Sequence, residues 1–371
     1  MIDLFMPFRS FLKFENVCID NNVFRMHYKL TVIILLVFTL LVTSKQFFGE
    51  PIHCMSDSDK DIDKDAINSY CWIYGTYTLK SRLIGVEGKH MAYAGVGPNI
   101  ADDDEQIRHT YYQWVCFVLL GQSVMFYAPR YLWKIWEGGR LKALAADLSG
   151  PMVTKDWSEF RRSELVSYLS YRNVYTHNVY ALRFIFCELL NLVNVVGQIF
   201  LLDLFLGGAF RNYGAAVAAF THIPRVPSNT EDFTQVNPMD KYFPKLTKCW
   251  LRSYGPSGSI QLKDRLCVLP LNIVNEKIFI ILWFWLIVLT LASTLILLFH
   301  ITLLMFQSLR IRMIMGQARH VRRSVVSRIV RYFGFGDWFI LYFLGKNMNP
   351  LLFRELIMEL DKHLKYGTLT V

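Results

Sequence analysis

Four long apolar segments, separated by polar stretches, dominate the hydrophobic pattern of the chain. The second, "YYQWVCFVLLGQSVMFYAPRYLW" at residues 111–133, has no charged side chain between Thr110 and Ala128. At about 1.5 Å per residue, such a helix nearly crosses the roughly 30 Å hydrocarbon core of a bilayer. Tyr111, Tyr112 and Trp114 at its start are typical of a membrane interface. The segment therefore predicts a transmembrane helix and disfavours a central helix of a soluble protein.

The same pattern predicts three further membrane spans, and the four spans are 28–48, 109–133, 182–206 and 276–309. Arg130 and Lys134 are expected to end the second span, and Pro129 is a candidate helix kink because proline removes a backbone hydrogen bond. The first apolar run is long and no small-residue cleavage site follows it, so a signal peptide is disfavoured. The mean hydropathy of +0.27 agrees with a membrane protein that has sizeable polar parts.

The distribution of charge orients these spans. Residues 1–29, 130–183 and 307–371 together carry twice as many basic as acidic side chains, whereas 45–108 and 207–277 carry equal numbers. The positive-inside rule therefore places both termini and the middle loop in the cytoplasm. The net charge of +10 is thus explained by orientation, without nucleic acid. The predicted polar regions are a cytoplasmic N-terminal segment (1–27), extracellular loops (49–108 and 207–275), a cytoplasmic loop (134–181) and a cytoplasmic C-terminal domain (310–371).

Four of the seven cysteines fall in the predicted extracellular loops. Cys54 and Cys71 lie in the first loop, and Cys249 and Cys267 lie in the second. An even number in each loop is typical of disulfides in an oxidising compartment, but spacing alone leaves three pairings open. His53 beside Cys54 lacks the ligand spacing of a structural zinc site. No metal or cofactor is predicted.

Local patterns predict the fold class as an all-α membrane protein with four transmembrane helices. The segment "CWLRSYGPSGSIQLKDRLCVLPLN" alternates polar and apolar residues around a turn, which predicts a hairpin in a small disulfide-stapled α/β extracellular domain. The segments "WSEFRRSELVSYLSYR" and "MNPLLFRELIMELDKHLK" have helical spacing and predict a helical cytoplasmic domain. The acidic run at 57–65 lacks the glycine and glutamate of a calcium loop and is expected to be a solvated surface.

No pattern in the chain indicates an enzyme. There is no phosphate-binding glycine loop, no metalloprotease motif, and no nucleophile and base at a recognisable spacing. Polar residues within the third span recur every three or four positions, which sets them on one helix face that avoids lipid. They are Glu188, Asn191, Asn194 and Gln198. We expect them to bond neighbouring helices, with direct pore lining as the alternative.

Several blocks resemble the innexins, the invertebrate gap-junction proteins related to pannexins. "YYQWV", formed by Tyr111, Tyr112, Gln113, Trp114 and Val115, matches the signature pentapeptide of that family. "DNNVFRMHY", "GEPIHC", "CWIYGTYTL", "YGPSG", "CVLPLNIVNEKIFIILWFW" and "NPLLFREL" are also similar to innexin segments and occur in the family's order.

The resemblance implies a large-pore channel that passes ions and small metabolites between cells. Its expected partners are copies of the same chain in a ring larger than a hexamer, an apposed hemichannel of a neighbouring cell, other innexins and membrane lipids. Its expected location is the plasma membrane at cell–cell junctions. The resemblance also implies disulfides between the two loops, with Cys54 bonded to Cys267 and Cys71 bonded to Cys249.

Two interpretations remain for the N-terminal segment "MIDLFMPFRSFLKFENV". Its apolar residues have helical spacing, which fits an amphipathic helix on the inner leaflet. The resemblance favours a funnel folded into the pore mouth. The candidate pore-lining residues are then Ile2, Asp3, Phe5, Lys45 and Glu50.

Two functions outside the channel class are carried as alternatives. A four-span adhesion or receptor protein without a pore would also have paired exterior cysteines, whereas a membrane enzyme would need convergent catalytic groups that the chain lacks. In the C-terminal domain, a group of arginines either packs into a basic dome or touches anionic lipid. This group comprises Arg319, Arg322, Arg323, Arg328 and Arg331.

Overall fold

In a computed structural model, the chain is mostly helical and carries one small antiparallel sheet. The structure describes residues 17–55, 64–83, 93–98, 105–145, 148, 159–170, 174–222 and 237–366. Residues 1–16 of the predicted pore-funnel segment (1–27) and most of the acidic run at 57–65 lie outside these residues.

The helices and strands are numbered in chain order. The helices are α1 (Asn22–Phe47), α2 (Lys64–Tyr74), α3 (Val115–Glu137), α4 (Arg140–Leu144), α5 (Glu159–Ser170), α6 (Val174–Phe205), α7 (Phe210–His222), α8 (Pro238–Tyr242), α9 (Pro270–Met305), α10 (Gln307–Gln317), α11 (Arg323–Tyr332), α12 (Phe335–Asn347) and α13 (Pro350–Tyr366). The strands are β1 (His53–Cys54), β2 (Thr76–Leu79), β3 (Gln106–His109), β4 (Leu246–Tyr254) and β5 (Ile260–Val268).

The helices α1, α3, α6 and α9 are long and apolar enough to cross a membrane, as the sequence predicts. Helix α6 begins well before residue 182, because nothing at 174–181 interrupts helical backbone. Helix α9 begins at Pro270, where the missing N–H of proline has no helical partner to lose. Helix α3 begins at Val115, after a 3₁₀ turn at Tyr111–Gln113.

One compact unit comprises Val32–Val124 and Val195–Val288, and it contains the sheet. The strand order is β1-β5-β4-β2-β3, with every neighbouring pair antiparallel. Strands β4 and β5 form the predicted hairpin, in register from Leu246 opposite Val268 to Tyr254 opposite Ile260. Gly258 has φ of +77° in the turn, a conformation that favours glycine. The strands preceding α3 thus pair with the hairpin preceding α9.

The other compact unit comprises Met1–Thr31, Met125–Asn194 and Leu289–Val371. Its hydrophobic core joins α5 and α10–α13 to parts of α3, α6 and α9, and the predicted helices in the loop and tail are confirmed as α5 and α13. Phe184 lies at the centre of this core, fully buried, with its ring 5.1 Å from Trp133 and 5.2 Å from Phe339. Burying side chains of this size contributes about 1.5–3 kcal/mol each.

Within this unit, Gly336 permits a close approach between the starts of α12 and α6. Its N–H donates a hydrogen bond of 2.9 Å to Asn178 Oδ1, and a Cβ at this position would overlap the backbone of His177 and Asn178. The adjacent Asp337 Oδ1 lies 2.5 Å from His177 Nδ1, so the same approach brings a buried carboxylate to a buried imidazole.

Replacing Gly336 by alanine should destabilise the chain by about 1–3 kcal/mol, because backbone atoms cannot move aside as a flexible side chain does. Thermal unfolding of the detergent-purified protein measures the loss. Gly316→Ala is the matched control, since a Cβ at that helical glycine meets nothing within 4 Å. Equal melting temperatures for the two variants would contradict the packing argument.

Candidate functional site

Two disulfide bonds hold the sheet together. Cys54 bonds Cys267 across the β1–β5 pair, and Cys71 on α2 bonds Cys249 on β4. These are the pairs that the family resemblance implies. The bonded residues are 213 and 178 positions apart in the chain, so each bond closes a long loop. The site thereby joins the segment between α1 and α3 covalently to the segment between α6 and α9.

The two bonds lie side by side. The sulfur atoms of Cys54, Cys71 and Cys267 are within 4.8 Å of one another. A metal ion binds the thiolate form of cysteine, and these sulfurs are all consumed in disulfides. The cluster therefore acts as a covalent crosslink and offers no metal-binding thiolate.

A buried lysine links β4 to the surrounding loop and to β5. Lys248 is 6% exposed, its ammonium group is paired with the Asp264 carboxylate, and it donates a 2.8 Å hydrogen bond to the Gly97 carbonyl. The Tyr77 hydroxyl on β2 donates to Asp264 Oδ1 at 3.3 Å. Burial, together with the Asp264 charge, raises the pKa of Tyr77. The tyrosine thus stays a neutral donor, and the group connects β2, β4 and β5.

His109 lies at the end of β3 and is 4% exposed. Its Nε2 is 2.9 Å from the Thr78 hydroxyl on the paired strand β2. Burial lowers the pKa of His109 to about 4, because the charged imidazolium would lose its hydration. The imidazole is therefore neutral at physiological pH.

The "YYQWV" signature forms the junction between the sheet and α3. Tyr112 is fully buried, with its ring 4.6 Å from that of Trp72, and the Gln113 amide donates to the Trp72 carbonyl on α2. The Tyr111 ring meets Phe243 edge to face at 5.6 Å. The prediction that Tyr112 belongs to a membrane interface is therefore wrong, whereas Trp114 is 60% exposed, as an interface residue would be. The signature positions the start of α3 against α2.

A second polar centre precedes α1, in the segment that we call the N-terminal anchor (residues 18–21). Its hub is Asp20, which is 1% exposed. Asp20 Oδ1 accepts from Arg25 Nε at 2.7 Å, and Oδ2 accepts from Arg130 Nη1 and the Tyr28 hydroxyl, each at 3.0 Å. Arg130 is 3% exposed and α3 continues to Glu137, so the helix itself does not end at Arg130, and the position at which it leaves the membrane stays a prediction. The ion pair with the buried Asp20 carboxylate compensates Arg130 for the hydration that it loses on burial.

The backbone of the N-terminal anchor is also held by side chains. Trp133 Nε1 on α3 donates to the Ile19 carbonyl at 3.0 Å. Asn347 on α12 bonds Cys18 twice, since its Oδ1 accepts from the Cys18 N–H at 2.5 Å and its Nδ2 donates to the Cys18 carbonyl at 2.8 Å. Asn21 caps α1 by accepting from the Phe24 N–H at 2.7 Å. The chain is therefore fixed at the point from which residues 1–16 depart.

The polar stripe on α6 is mostly buried, and its first member, Glu188, is bonded to neighbouring segments. Glu188 is 5% exposed and accepts a hydrogen bond from the Asn21 amide, and its other oxygen lies 2.8 Å from His300 Nδ1 on α9. Asn191 and Gln198 on the same helix are 3% and 1% exposed. Glu188 therefore agrees with the expectation that these residues bond neighbouring helices, and it links the N-terminal anchor to α6 and α9, whereas for Asn191, Asn194 and Gln198 the expectation stays a prediction.

The other predicted site residues have separate positions. Lys45, in the last turn of α1, and Glu50 are exposed, and Glu50 Oε2 lies 2.9 Å from His53 Nδ1. Ile2, Asp3 and Phe5 lie outside the described residues. Pro129 is inside α3, which continues on both sides of it.

Sequence reasoning missed the roles of Asp20, Asn347 and His300. Asp20 and Asn21 precede an apolar run, which is a helix-start signal that could have pointed to this segment. Asn347 and His300 carry no comparable signal, since a single polar residue in a helix does not reveal its distant partner.

A chain whose four longest helices are this apolar, and whose connecting segments share one disulfide-linked sheet, is a polytopic membrane protein. The innexin family model matches residues 20–364. Innexin inx2 of Drosophila melanogaster is 47% identical over 364 residues, covering 98% of this chain and 96% of that protein. Innexin inx2 of Schistocerca americana is 47% identical (98% and 99% covered), and innexin shaking-B of Drosophila melanogaster is 40% identical (99% and 96% covered). The chain belongs to the innexin family, whose members form gap-junction channels.

Acid should destabilise the sheet unit through His109. The pKa of His109 is near 4 in the folded state and about 6.5 unfolded, so the unfolded chain binds more protons between these values. Stability is therefore lost as pH falls through this window. We expect the melting temperature of the parent to fall more steeply from pH 7 to 4.5 than that of His109→Asn.

His53→Asn is the control for this comparison, because His53 is exposed and its substitution should leave the slope of the parent unchanged. Parallel pH profiles for the parent and His109→Asn would show that His109 does not cause the acid sensitivity.

Proposed function

We propose that the chain is a subunit of a gap-junction channel or hemichannel that passes ions and small metabolites. The observation that carries the proposal is the covalent joining, in one sheet, of the two segments that the charge count assigns to the cell exterior. A sheet shared by both segments requires that both lie on the same side of the membrane. Disulfides persist on the oxidising exterior side. Both termini and the 134–181 loop are then cytoplasmic, and the channel is at the plasma membrane of cell–cell junctions.

The tip of the β4–β5 hairpin is the proposed docking surface toward an apposed hemichannel. Tyr254, Ile260 and Leu262 are 81%, 68% and 54% exposed, which leaves apolar area free for a partner. The disulfides and the ion pair between buried Lys248 and exposed Asp264 hold this hairpin to the rest of the sheet. A rigid surface loses little conformational entropy on docking, which favours a tight seal.

The proposed pore lies on the axis of a homo-oligomeric ring larger than a hexamer, with other innexins as further partners. In this arrangement Lys45 and Glu50 line the outer part of the pore, and residues 1–16 form the inner funnel with Ile2, Asp3 and Phe5. Each charged residue is repeated around the axis, so one carboxylate per subunit becomes an acidic ring that favours cations. The N-terminal anchor supports this assignment, because it holds residues 18–21, which follow the proposed funnel segment in the chain, against α3 and α12.

Reconstitution of the purified chain into liposomes tests the channel proposal. We expect release of ions and a small dye, and electron micrographs of the same particles should show rings with a central hole. Vesicles that stay tight, together with particles that lack a hole, would reject the channel and favour the adhesion or receptor alternative.

Replacing Cys71 by serine should abolish junctional coupling, because it removes one crosslink and leaves the buried Cys249 thiol unpaired. Loss of a native disulfide typically costs about 2–5 kcal/mol. Paired cells that express each variant at matched surface levels allow coupling to be measured by dual voltage clamp. Cys116→Ala is the control, since Cys116 is a free cysteine of α3. Normal coupling in cells that express Cys71→Ser would contradict the role of the Cys71–Cys249 disulfide in docking.

A further inference from the structure

A polar cleft lies between α10 and α11, in a region that no step of the proposed channel function uses. Its volume is about 530 Å³, and its floor includes the aliphatic Ile311. Six polar residues line it: Gln307, Ser308, Arg323, Ser324, Ser327 and Arg331. The cleft is large enough for a phosphorylated sugar-sized group and too polar for a hydrocarbon chain.

Helical spacing explains why α11 presents this surface. Arg323, Ser327 and Arg331 follow one another at four-residue intervals, so they share one face of the helix. The opposite face carries Val326 and Ile329, which are fully or almost fully buried in the core of this unit. The core thus fixes the rotation of α11 and keeps Arg323 and Arg331 turned toward the cleft.

A hydrogen bond fixes the distance between the two walls of the cleft. Gln307 Nε2 on α10 donates to the Val330 carbonyl on α11 at 3.0 Å. The Gln307 amide is therefore already engaged in a hydrogen bond within the protein. Ser308, Ser324 and Ser327 line the cleft, and their hydroxyls can donate to a ligand.

The electrostatics of the cleft favour an anion. No carboxylate lines it, and among the described residues neither Arg323 nor Arg331 has an ion-pair partner. Arg328, on another side of α11, lies 3.2 Å from Asp361, so acidic partners are present in this unit but do not reach the cleft. Arg323 and Arg331, both exposed, therefore present to the cleft a positive charge that no lining carboxylate compensates.

The start of α11 adds to this field. Arg322 occupies the N-cap position without a side-chain hydrogen bond, and the first turn contains no acidic residue. The N–H groups of a first helical turn have no partner within the helix, and the helix dipole places positive potential there. Ser324 belongs to this first turn and lines the cleft, so backbone and side-chain donors converge at one end of it.

We propose that the α10–α11 cleft binds a phosphomonoester group, which is carried either by an inner-leaflet phosphoinositide or by a soluble inositol phosphate. Paired guanidinium groups and hydroxyl donors match the geometry of phosphate oxygens. The cleft starts two residues after Met305, where the apolar α9 ends. No aromatic residue lines the cleft, so stacking of a nucleic acid base is not supported.

The test measures binding of two probes to the full-length chain in detergent at near-physiological salt. The probes are dioctanoyl phosphatidylinositol 4,5-bisphosphate and inositol 1,4,5-trisphosphate, with inorganic phosphate as competitor. The double variant Arg323→Gln/Arg331→Gln should weaken binding of at least one probe tenfold or more. Ser327→Asp, which places a negative charge in the cleft, should do the same, and thermal unfolding verifies that both variants are folded.

The charge-matched control is Arg319→Gln/Arg354→Gln, which removes two exposed arginines that do not line the cleft. It should change the affinity less than threefold. If both probes bind and inorganic phosphate competes with them, a soluble inositol phosphate is sufficient as the ligand. If only the lipid probe binds, the phosphate group is supplied by a membrane lipid. Absence of binding, equal affinity of parent and cleft variants, or an equal loss in the control would overturn the proposal.

Discussion

Two disulfide bonds are the constraint on which the sheet unit depends. Strand β1 has only two residues and β2 and β3 have four each, so these strands are too short to hold a sheet by pairing alone. Their partners lie far away in the chain, and closing such long loops costs entropy that the crosslinks remove from the unfolded state. Once β1 and α2 are tied to the β4–β5 hairpin, Trp72 is in place to receive Tyr112 and Gln113. The start of α3 thus follows from covalent bonds formed elsewhere in the sheet.

Buried charge organises the other unit by a different mechanism. Asp20 is almost fully enclosed, and its carboxylate oxygens accept from Arg25, Arg130 and Tyr28. Moving such groups out of water is expensive, and a missing partner leaves an uncompensated charge, so only one arrangement of these segments satisfies all of them. A purely apolar contact would have tolerated sliding between the segment before α1 and the end of α3. We therefore interpret the ion pairs of the N-terminal anchor as specifying position more than adding stability.

The sequence predicts what depends on local pattern and misses what depends on distant partners. The four apolar helices, the hairpin around Gly258 and the tail helix α13 follow from hydrophobic spacing and turn chemistry, which neighbouring residues determine. The strand order does not, because nothing near Tyr77 specifies pairing with Lys248. For the same reason cysteine spacing left three pairings open, and only the family resemblance selected one. Tyr112 was misplaced because a tyrosine beside an apolar run has the same pattern whether lipid or Trp72 receives it.

The contacts of α12 connect the α10–α11 cleft with the N-terminal anchor. Helix α10 is bonded to α12 through Gln317 Nε2, which donates to the Tyr342 carbonyl at 3.3 Å, and α12 holds Cys18 through Asn347. The proposed ligand would stabilise conformations in which α10 and α11 keep their spacing. It would affect another region only if that region differs between the conformations that bind the ligand and those that do not. Cys18 is the point of contact, because both of its hydrogen bonds to Asn347 depend on the position of α12. The position of residues 18–21 before α1 is therefore set by the C-terminal helix α12 as well as by the spans α3 and α6.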